Sequence, residues 1–349
     1  MNRDYKFKTS PIGLVLLTVI LPASPDKAKS LVDQFKMFLA FFSRLRSSQL
    51  HLYILTNDKS IEVILNRSDL PQNSYSIDLV SRKELVFTHG REGENFELAF
   101  AKLDAVVRSE RILRLQSTIK AVVVTDVDAI ITNAWPIVET CLSTQNITAI
   151  NYRSEQVTSD RFDVAMQLIS VNSKWKNIDD TVHIPSKAWI NSGFMIIKKE
   201  FVLDLIESRD LFERSENMTK NYEYIKSNCC NHYGDELLFS SLFSDVLGEQ
   251  ILLNSSKLAQ LIWTCQTKAN TFRLVNPFSP PAHIHVPAIK WSQLDLKLLT
   301  ELASKRFGVF KSMLLINDRS IKAHCSGKRR IVKYLQAMLY CLPFEMSKL

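Results

Sequence analysis

Ala121-Val122-Val123-Val124-Thr125-Asp126-Val127-Asp128-Ala129-Ile130-Ile131 is an apolar, β-branched run that stops at two carboxylates and then resumes. A short apolar run of this kind reads as a strand buried on both faces. Side chains two apart on a strand project to the same face, so Asp126 and Asp128 are expected to point together from its carboxyl end. Two carboxylates side by side are a place to hold a hard divalent cation. A bare Asp-x-Asp also arises in any acidic turn, and it is the position at a strand end that gives this one weight.

Upstream, Leu14-Val15-Leu16-Leu17-Thr18-Val19-Ile20 supplies a first strand. With the basic residues before it and Pro22-Ala23-Ser24 after it, the same run also imitates a secretory signal. It is too short to span a bilayer, which needs roughly 20 residues. The strand reading is preferred because the next two segments complete a βαβ unit with it. A helix is predicted over about 27–46, with Leu31, Phe35, Phe38, Leu39 and Phe42 at three- and four-residue spacing, and a strand over 50–56. Strand, helix, strand implies parallel pairing. A further helix from Asn95, with Phe96, Phe100, Leu103 and Val107 on one stripe, leads into the strand that ends at Asp126. Ligands of open α/β sheets bind at such carboxyl ends.

The 349 residues carry a formal charge of +8. Residues 297–349 hold eleven Lys or Arg against three acids, which accounts for that whole excess. The rest of the chain is near neutral, which argues against a nucleic-acid-binding body. The six cysteines form no CxxC pair and show no zinc spacing. Lys328-Arg329-Arg330 opens a basic amphipathic helix with Ile331, Leu335, Met338 and Leu342 on one side. Such a helix suits either an anionic membrane surface or packing against the body. Sequons at Asn66, Asn146, Asn217 and Asn254 leave a secretory location open beside the favoured cytoplasmic or membrane-peripheral one.

Three later stretches stand out. Asn191-Ser192-Gly193 precedes the apolar Phe194-Met195-Ile196-Ile197 and reads as a turn that lets backbone approach a ligand. Asp235 and Glu236 open an apolar helix, where a carboxylate commonly does no more than cap. His283-Ile284-His285 sets two imidazoles on one face of an extended piece, a few residues before Lys290 and Trp291.

In this order the pieces resemble the GT-A glycosyltransferases, in particular the retaining enzymes of family eight, over about residues 14–291. The resemblance implies a Rossmann-like α/β fold with a mainly parallel central sheet. It would occupy residues 11–295, with a nucleotide-binding half over about 11–131 and an acceptor-side half over about 132–295. Residues 296–349 would form a basic helical extension. Asp126-Val127-Asp128 is similar to the family's DxD motif, so Asp126 and Asp128 would bind Mn²⁺, or Mg²⁺, and Asp126 would also face the donor. Phe100-Ala101-Lys102-Leu103 resembles the helix whose basic residue faces the donor, here Lys102. Asn191-Ser192-Gly193 resembles the Asn-x-Gly element that contacts the sugars. Asp235 and Glu236 resemble the acidic segment beside the transferred sugar.

The late segment resembles HxxGxxKPW, whose His is the third metal ligand and whose Lys contacts the diphosphate. His285 stands five residues before Lys290 and His283 seven, where the family has six, so His285 is assigned with His283 as the alternative.

The activity implied is metal-dependent transfer from a nucleotide sugar, a UDP-sugar foremost, to a carbohydrate or glycoconjugate acceptor, with retention. Acceptor loops are expected over 151–187 and 209–232. The competing functions are a nucleotidyltransferase and a catalytically degenerate binding protein. A nucleotidyltransferase usually has a glycine-rich basic loop after its first strand, and Leu21-Pro22-Ala23-Ser24-Pro25 has neither glycine nor base.

Overall fold

The computed structural model describes residues 13–21, 25–45, 50–81, 84–85, 87, 94–142, 146–151, 165, 168–169, 190–225, 227, 235–245, 251–253, 257–261, 274–286 and 291–339. The chain runs β1 (Gly13–Ile20), α1 (Pro25–Arg44), β2 (Leu50–Thr56), α2 (Ser60–Asn66), β3 (Tyr75–Leu79), α3 (Glu94–Arg108), α4 (Glu110–Leu115), β4 (Ile119–Thr125), β5 (Ala129–Ile131) and α5 (Trp135–Cys141). It continues through β6 (Ile147–Asn151), β7 (Ile190–Lys198), α6 (Lys199–Glu207), α7 (Asp210–Lys220), α8 (Asp235–Asp245), β8 (Ile251–Leu253), β9 (Ala259–Leu261) and β10 (His283–His285). Three helices close it: α9 (Gln293–Ala303), α10 (Gly308–His324) and α11 (Gly327–Leu339).

Seven strands form one sheet in the order β3-β2-β1-β4-β7-β6-β8. The pairs β1·β2, β2·β3, β1·β4 and β6·β8 are parallel, and β7 runs antiparallel to both its neighbours. The apolar run at 14–20 is therefore the strand between β2 and β4, buried on both faces. Val15, Leu17, Val122 and Val124 pack on one side with Leu103 and Val106 of α3 and Leu237 and Leu238 of α8. Leu14, Leu16, Ala121 and Val123 pack on the other with Phe35, Phe38 and Phe42 of α1. Full burial of each such aliphatic side chain stabilises the fold by about 1.5–3 kcal/mol, which is why these strands read as unbroken apolar runs.

A third core joins Met37 and Phe41 of α1 to Leu296, Leu299, Met313 and Ile316. Residues 293–303 thus pack on α1, with the helix at 308–324 packed on them in the same core, and the division expected at 295 falls inside α9. Part of the segment expected as an acceptor loop, 209–232, is instead the helix α7, held by the buried Leu211 and Met218.

The small second sheet, β5-β10-β9, matters most for the site. β10 pairs antiparallel with β5, setting His283 opposite Ile131 and His285 opposite Ala129. That register carries a histidine from late in the chain to the residue just after Asp128.

Candidate metal centre

β4 ends at Thr125, and Asp126-Val127-Asp128 forms a tight turn into β5, with Ala129 N donating to Asp126 O at 3.3 Å. The two carboxylates therefore converge from a turn, not from an extended strand as their spacing suggested. Thr18 on β1 donates its hydroxyl to Thr125 O at 3.0 Å and pins the point where the turn begins. Sequence reasoning missed Thr18. Its signal was there, a single hydroxyl inside an apolar strand.

Asn191-Ser192-Gly193 also departs from expectation, since it lies within β7 and is not a turn before it. On the β6 side Met195 pairs with Ala149 and the next pair is Asn191 with Ile150. Residues 192–194 are thus surplus and form a bulge, a device that re-aims side chains at a sheet edge. The bulge leans on the acidic turn, with Asp126 N donating to Gly193 O at 3.3 Å. A Cβ on Gly193 would lie 2.1 Å from Cε1 of His285, so only glycine admits this imidazole.

His285 Nε2 sits 3.1 Å from Asp128 Oδ1 and 3.3 Å from Asp126 Oδ2. Among the described residues this trio is the one group of carboxylate and imidazole ligands placed to share a cation, its ligand atoms lying within 4.8 Å of one another. Asp128 Oδ1 and His285 Nε2 are both buried and, despite their closeness, neither makes a hydrogen bond. Buried polar atoms without partners are costly, and here two of them converge on a common point between two anionic oxygens. The residues fit a divalent cation: two hard carboxylates, one imidazole, and ligand atoms not committed elsewhere.

Lys102 Nζ lies 2.8 Å from Asp126 Oδ1 and donates to Ser192 Oγ at 2.9 Å. Burial would raise the Asp126 carboxyl, but Lys102 and His285 hold it well below the usual carboxylate range. Burial would lower His285, yet Asp128 and Asp126 together override it and raise the imidazole to about 9. His283 differs. Burial, with the neighbouring His285 acting in the same direction, pushes it well below its ordinary value. Its Nε2 is 2.9 Å from Thr125 Oγ1 and its ring packs on Phe194 at 4.3 Å between centroids. His283 thus props the base of the turn, while His285 meets the two carboxylates.

Asn191 is buried beside His285. Its Oδ1 accepts from Gly193 N at 3.1 Å and from His285 Nδ1 at 2.8 Å, and its Nδ2 donates to Glu236 Oε1 at 3.0 Å. Glu236 lies in the first turn of α8, which begins at Asp235. The structure therefore brings together Lys102, Asp126, Asp128, Asn191, Ser192, Gly193, Glu236 and His285. The Asp235 side chain and the whole of Lys290 lie outside the described residues.

A sheet of this topology, with polar groups gathered beyond the carboxyl ends of β1 and β4, is a Rossmann-like α/β architecture. Among solved structures it is similar to an active-site mutant of LgtC, at a TM-score of 0.50 with 11% identity over 86% of this chain and 99% of that one. Apo mouse xyloside xylosyltransferase 1 matches at a TM-score of 0.49, with 16% identity over 79% of this chain and 98% of that one. No protein-family model matches the chain, and no curated protein sequence does. The fold is that of the GT-A glycosyltransferases.

Proposed function

We propose that this chain is a divalent-metal-dependent glycosyltransferase that moves a sugar from a nucleotide sugar, a UDP-sugar by preference, to a carbohydrate or glycoconjugate acceptor. The observation that carries this reading is the convergence of Asp126, Asp128 and His285 beyond the carboxyl ends of parallel strands in a GT-A fold. These three residues would hold the cation, and a mixed carboxylate and imidazole set favours Mn²⁺ over Mg²⁺. When bound, such an ion neutralises a diphosphate and stabilises it as a leaving group.

The chain's own groups would do the rest. Lys102, held at Asp126 and Ser192, adds a positive charge on the side where the diphosphate would lie. Lys290 is assigned the same role, and Ser192 and Gly193 line the donor side. Asp235, at the start of α8 next to Glu236, is assigned to the transferred sugar. With retention, the acceptor oxygen bonds to the anomeric carbon on the face from which the diphosphate departs. The hydroxyl proton passes to the leaving phosphate oxygen, and the protein residues position without forming a covalent bond.

Titration calorimetry with UDP, GDP and CDP, with and without Mn²⁺, followed by a donor-hydrolysis assay, tests the reading. Metal-dependent binding of UDP above the other two is expected, and nucleotide binding that is absent or indifferent to metal overturns it.

We also infer that α11 rests on an anionic membrane surface, which favours a cytoplasmic or membrane-peripheral location. The helix contacts the body through Tyr334 and Ala337, packed on the cluster of Leu274, Ile321 and Cys325. Ile331, Val332 and Leu335 are 62%, 52% and 54% exposed. Lys328, one helical turn before Ile331 and Val332, lies on the same side as this strip, the combination that suits an interfacial helix, while Arg330 is turned to the body and donates to Cys325 O at 2.9 Å and Lys322 O at 3.2 Å. No helix among the described residues is long and apolar enough to cross a membrane.

A further inference from the structure

We propose that Asn191 and Glu236 are positioning residues of the cation site: Glu236 sets the direction of the Asn191 amide, and that amide sets which nitrogen of His285 faces Asp126 and Asp128. The inference rests on the metal-centre reading above and gives both residues a task other than contact with a sugar.

The chain of constraints starts at Glu236. An ionised carboxylate only accepts hydrogen bonds, so the group 3.0 Å from its Oε1 must be the amide nitrogen of Asn191. The amide oxygen then necessarily points the other way. There it accepts from the Gly193 N–H at 3.1 Å and stands 2.8 Å from Nδ1 of His285. An amide oxygen cannot donate, so Nδ1 carries the proton, and the ring presents Nε2 to the carboxylates as the ligand atom. The reversed amide would set its NH₂ group against the Gly193 N–H and its carbonyl oxygen against a carboxylate, and would make Nδ1 an acceptor, moving the ring proton to Nε2, the nitrogen that faces Asp126 and Asp128.

Burial makes this arrangement consequential. Asn191 is 1% and His285 2% exposed, so water is poorly placed to replace a lost partner. The absence of a Cβ at Gly193 lets the imidazole come up against the bulge, where Asn191 reaches it. Histidine ligands of metals generally need their second nitrogen held in this way, and loss of the holder weakens the metal ten- to a hundred-fold. Glu236 adds a feature of its own: it ties the first turn of α8, on the side assigned to the sugar, to a ligand of the cation.

The test is Mn²⁺ binding by the full-length protein at fixed UDP concentration, followed by electron paramagnetic resonance of the free ion. Circular dichroism of each variant checks the fold. Asn191→Ala is expected to weaken Mn²⁺ about ten- to a hundred-fold, and Glu236→Ala by a smaller factor. Glu236→Gln should stay within about three-fold of wild type, because its amide oxygen still accepts from Asn191. Should Asn191→Ala fail to fold, the two Glu236 variants at the half-buried helix start decide the matter. Wild-type affinity in Asn191→Ala or in Glu236→Ala overturns the proposal. So does a Glu236→Gln protein as weak as Glu236→Ala, since charge would then act in place of direction. A wild-type protein that takes up no Mn²⁺ with UDP overturns the metal-centre reading itself, a separate outcome.

Discussion

The carboxyl edge of the parallel strands and the C-terminal helix treat charge in opposite ways. At the edge, Lys102 meets Asp126 at 2.8 Å and His285 meets Asp126 and Asp128 at 3.3 and 3.1 Å, each residue partly or wholly buried. On α11, Lys328 stands in solvent one helical turn before the exposed Ile331 and Val332. Buried charge is expensive unless paired, whereas exposed charge costs little. The first arrangement therefore needs a reason, and two ligand atoms without hydrogen bonds supply one. The second needs only a surface to meet.

The contrast breaks most sharply at Asp128. Asp128→Ala should reduce Mn²⁺-dependent UDP binding by more than about a hundred-fold, since a third of the protein ligand set is lost. Its thermal midpoint should fall modestly at neutral pH, because Asp128 leads the groups that hold the His285 imidazole raised and that attraction is lost. Calorimetry paired with a melting curve reads both, and a variant with normal metal-dependent binding removes Asp128 from the site. Gly193→Ala comes next. The added methyl would meet the His285 ring at 2.1 Å, and the neighbouring backbone is tied to Asp126. A cost of about 1–3 kcal/mol in stability is expected from overpacking, together with weaker Mn²⁺ binding. An alanine variant equal to wild type in both would show that the ring moves freely.

The same contrast explains how much could be read from sequence. The strand at Leu50–Thr56 lies where its apolar run put it, and β1 and β4 follow the same rule, because a strand covered on both faces writes its burial directly into consecutive residues. The site itself was legible only as residue types. Asp126-Val127-Asp128 was expected on a strand and sits in a turn. Asn191-Ser192-Gly193 was expected as a turn and lies in a strand as a bulge. Both differences come from pairings with distant strands, Gly193 with the acidic turn and β6 with β7, which no local window contains. That His285 and not His283 lies beside the two carboxylates is likewise a matter of register, since β10 is fixed along β5 at one position.

Between the two regions stands one charge pair that belongs to the C-terminal helices yet behaves like the buried edge. Asp295, 5% exposed, closes the capping box of α9 with Ser292 and accepts from Arg319 Nη2 at 2.6 Å. Burial would raise its carboxyl, but Ser292 and Arg319 hold it below its ordinary value. A carboxyl lowered on folding contributes stability that is full above its unfolded value, near about pH 4, and is lost as pH falls through the lower folded one. Asp295→Asn should cost about 1–3 kcal/mol at neutral pH by urea unfolding, with a shallower loss of stability below about pH 4 than wild type. Parallel acid profiles would place the pair among those that contribute nothing measurable.

The smallest expected effect on the fold lies on α11, and it is the one that decides what kind of surface this helix is. Ile331 and Leu335 are more than half exposed, so Ile331→Glu with Leu335→Glu should shift stability by no more than about 0.5 kcal/mol each. On a bilayer the same side chains would each leave water, worth about 1.5–3 kcal/mol when complete. Each nearby Lys or Arg adds about 1 kcal/mol at an anionic surface. Co-sedimentation with phosphatidylserine-containing vesicles should therefore fall several-fold in the double variant, and fall equally on removing residues 326–349. Mn²⁺ binding should stay unchanged in the double variant, because Ile331 and Leu335 lie on the solvent side of a helix that packs on the body through Tyr334 and Ala337. Adding salt should weaken wild-type binding, since the basic residues act through screened attraction. If the double variant sediments as wild type does, the aliphatic strip faces only water, and the contrast with the sheet edge reduces to one between a site and an ordinary solvated helix.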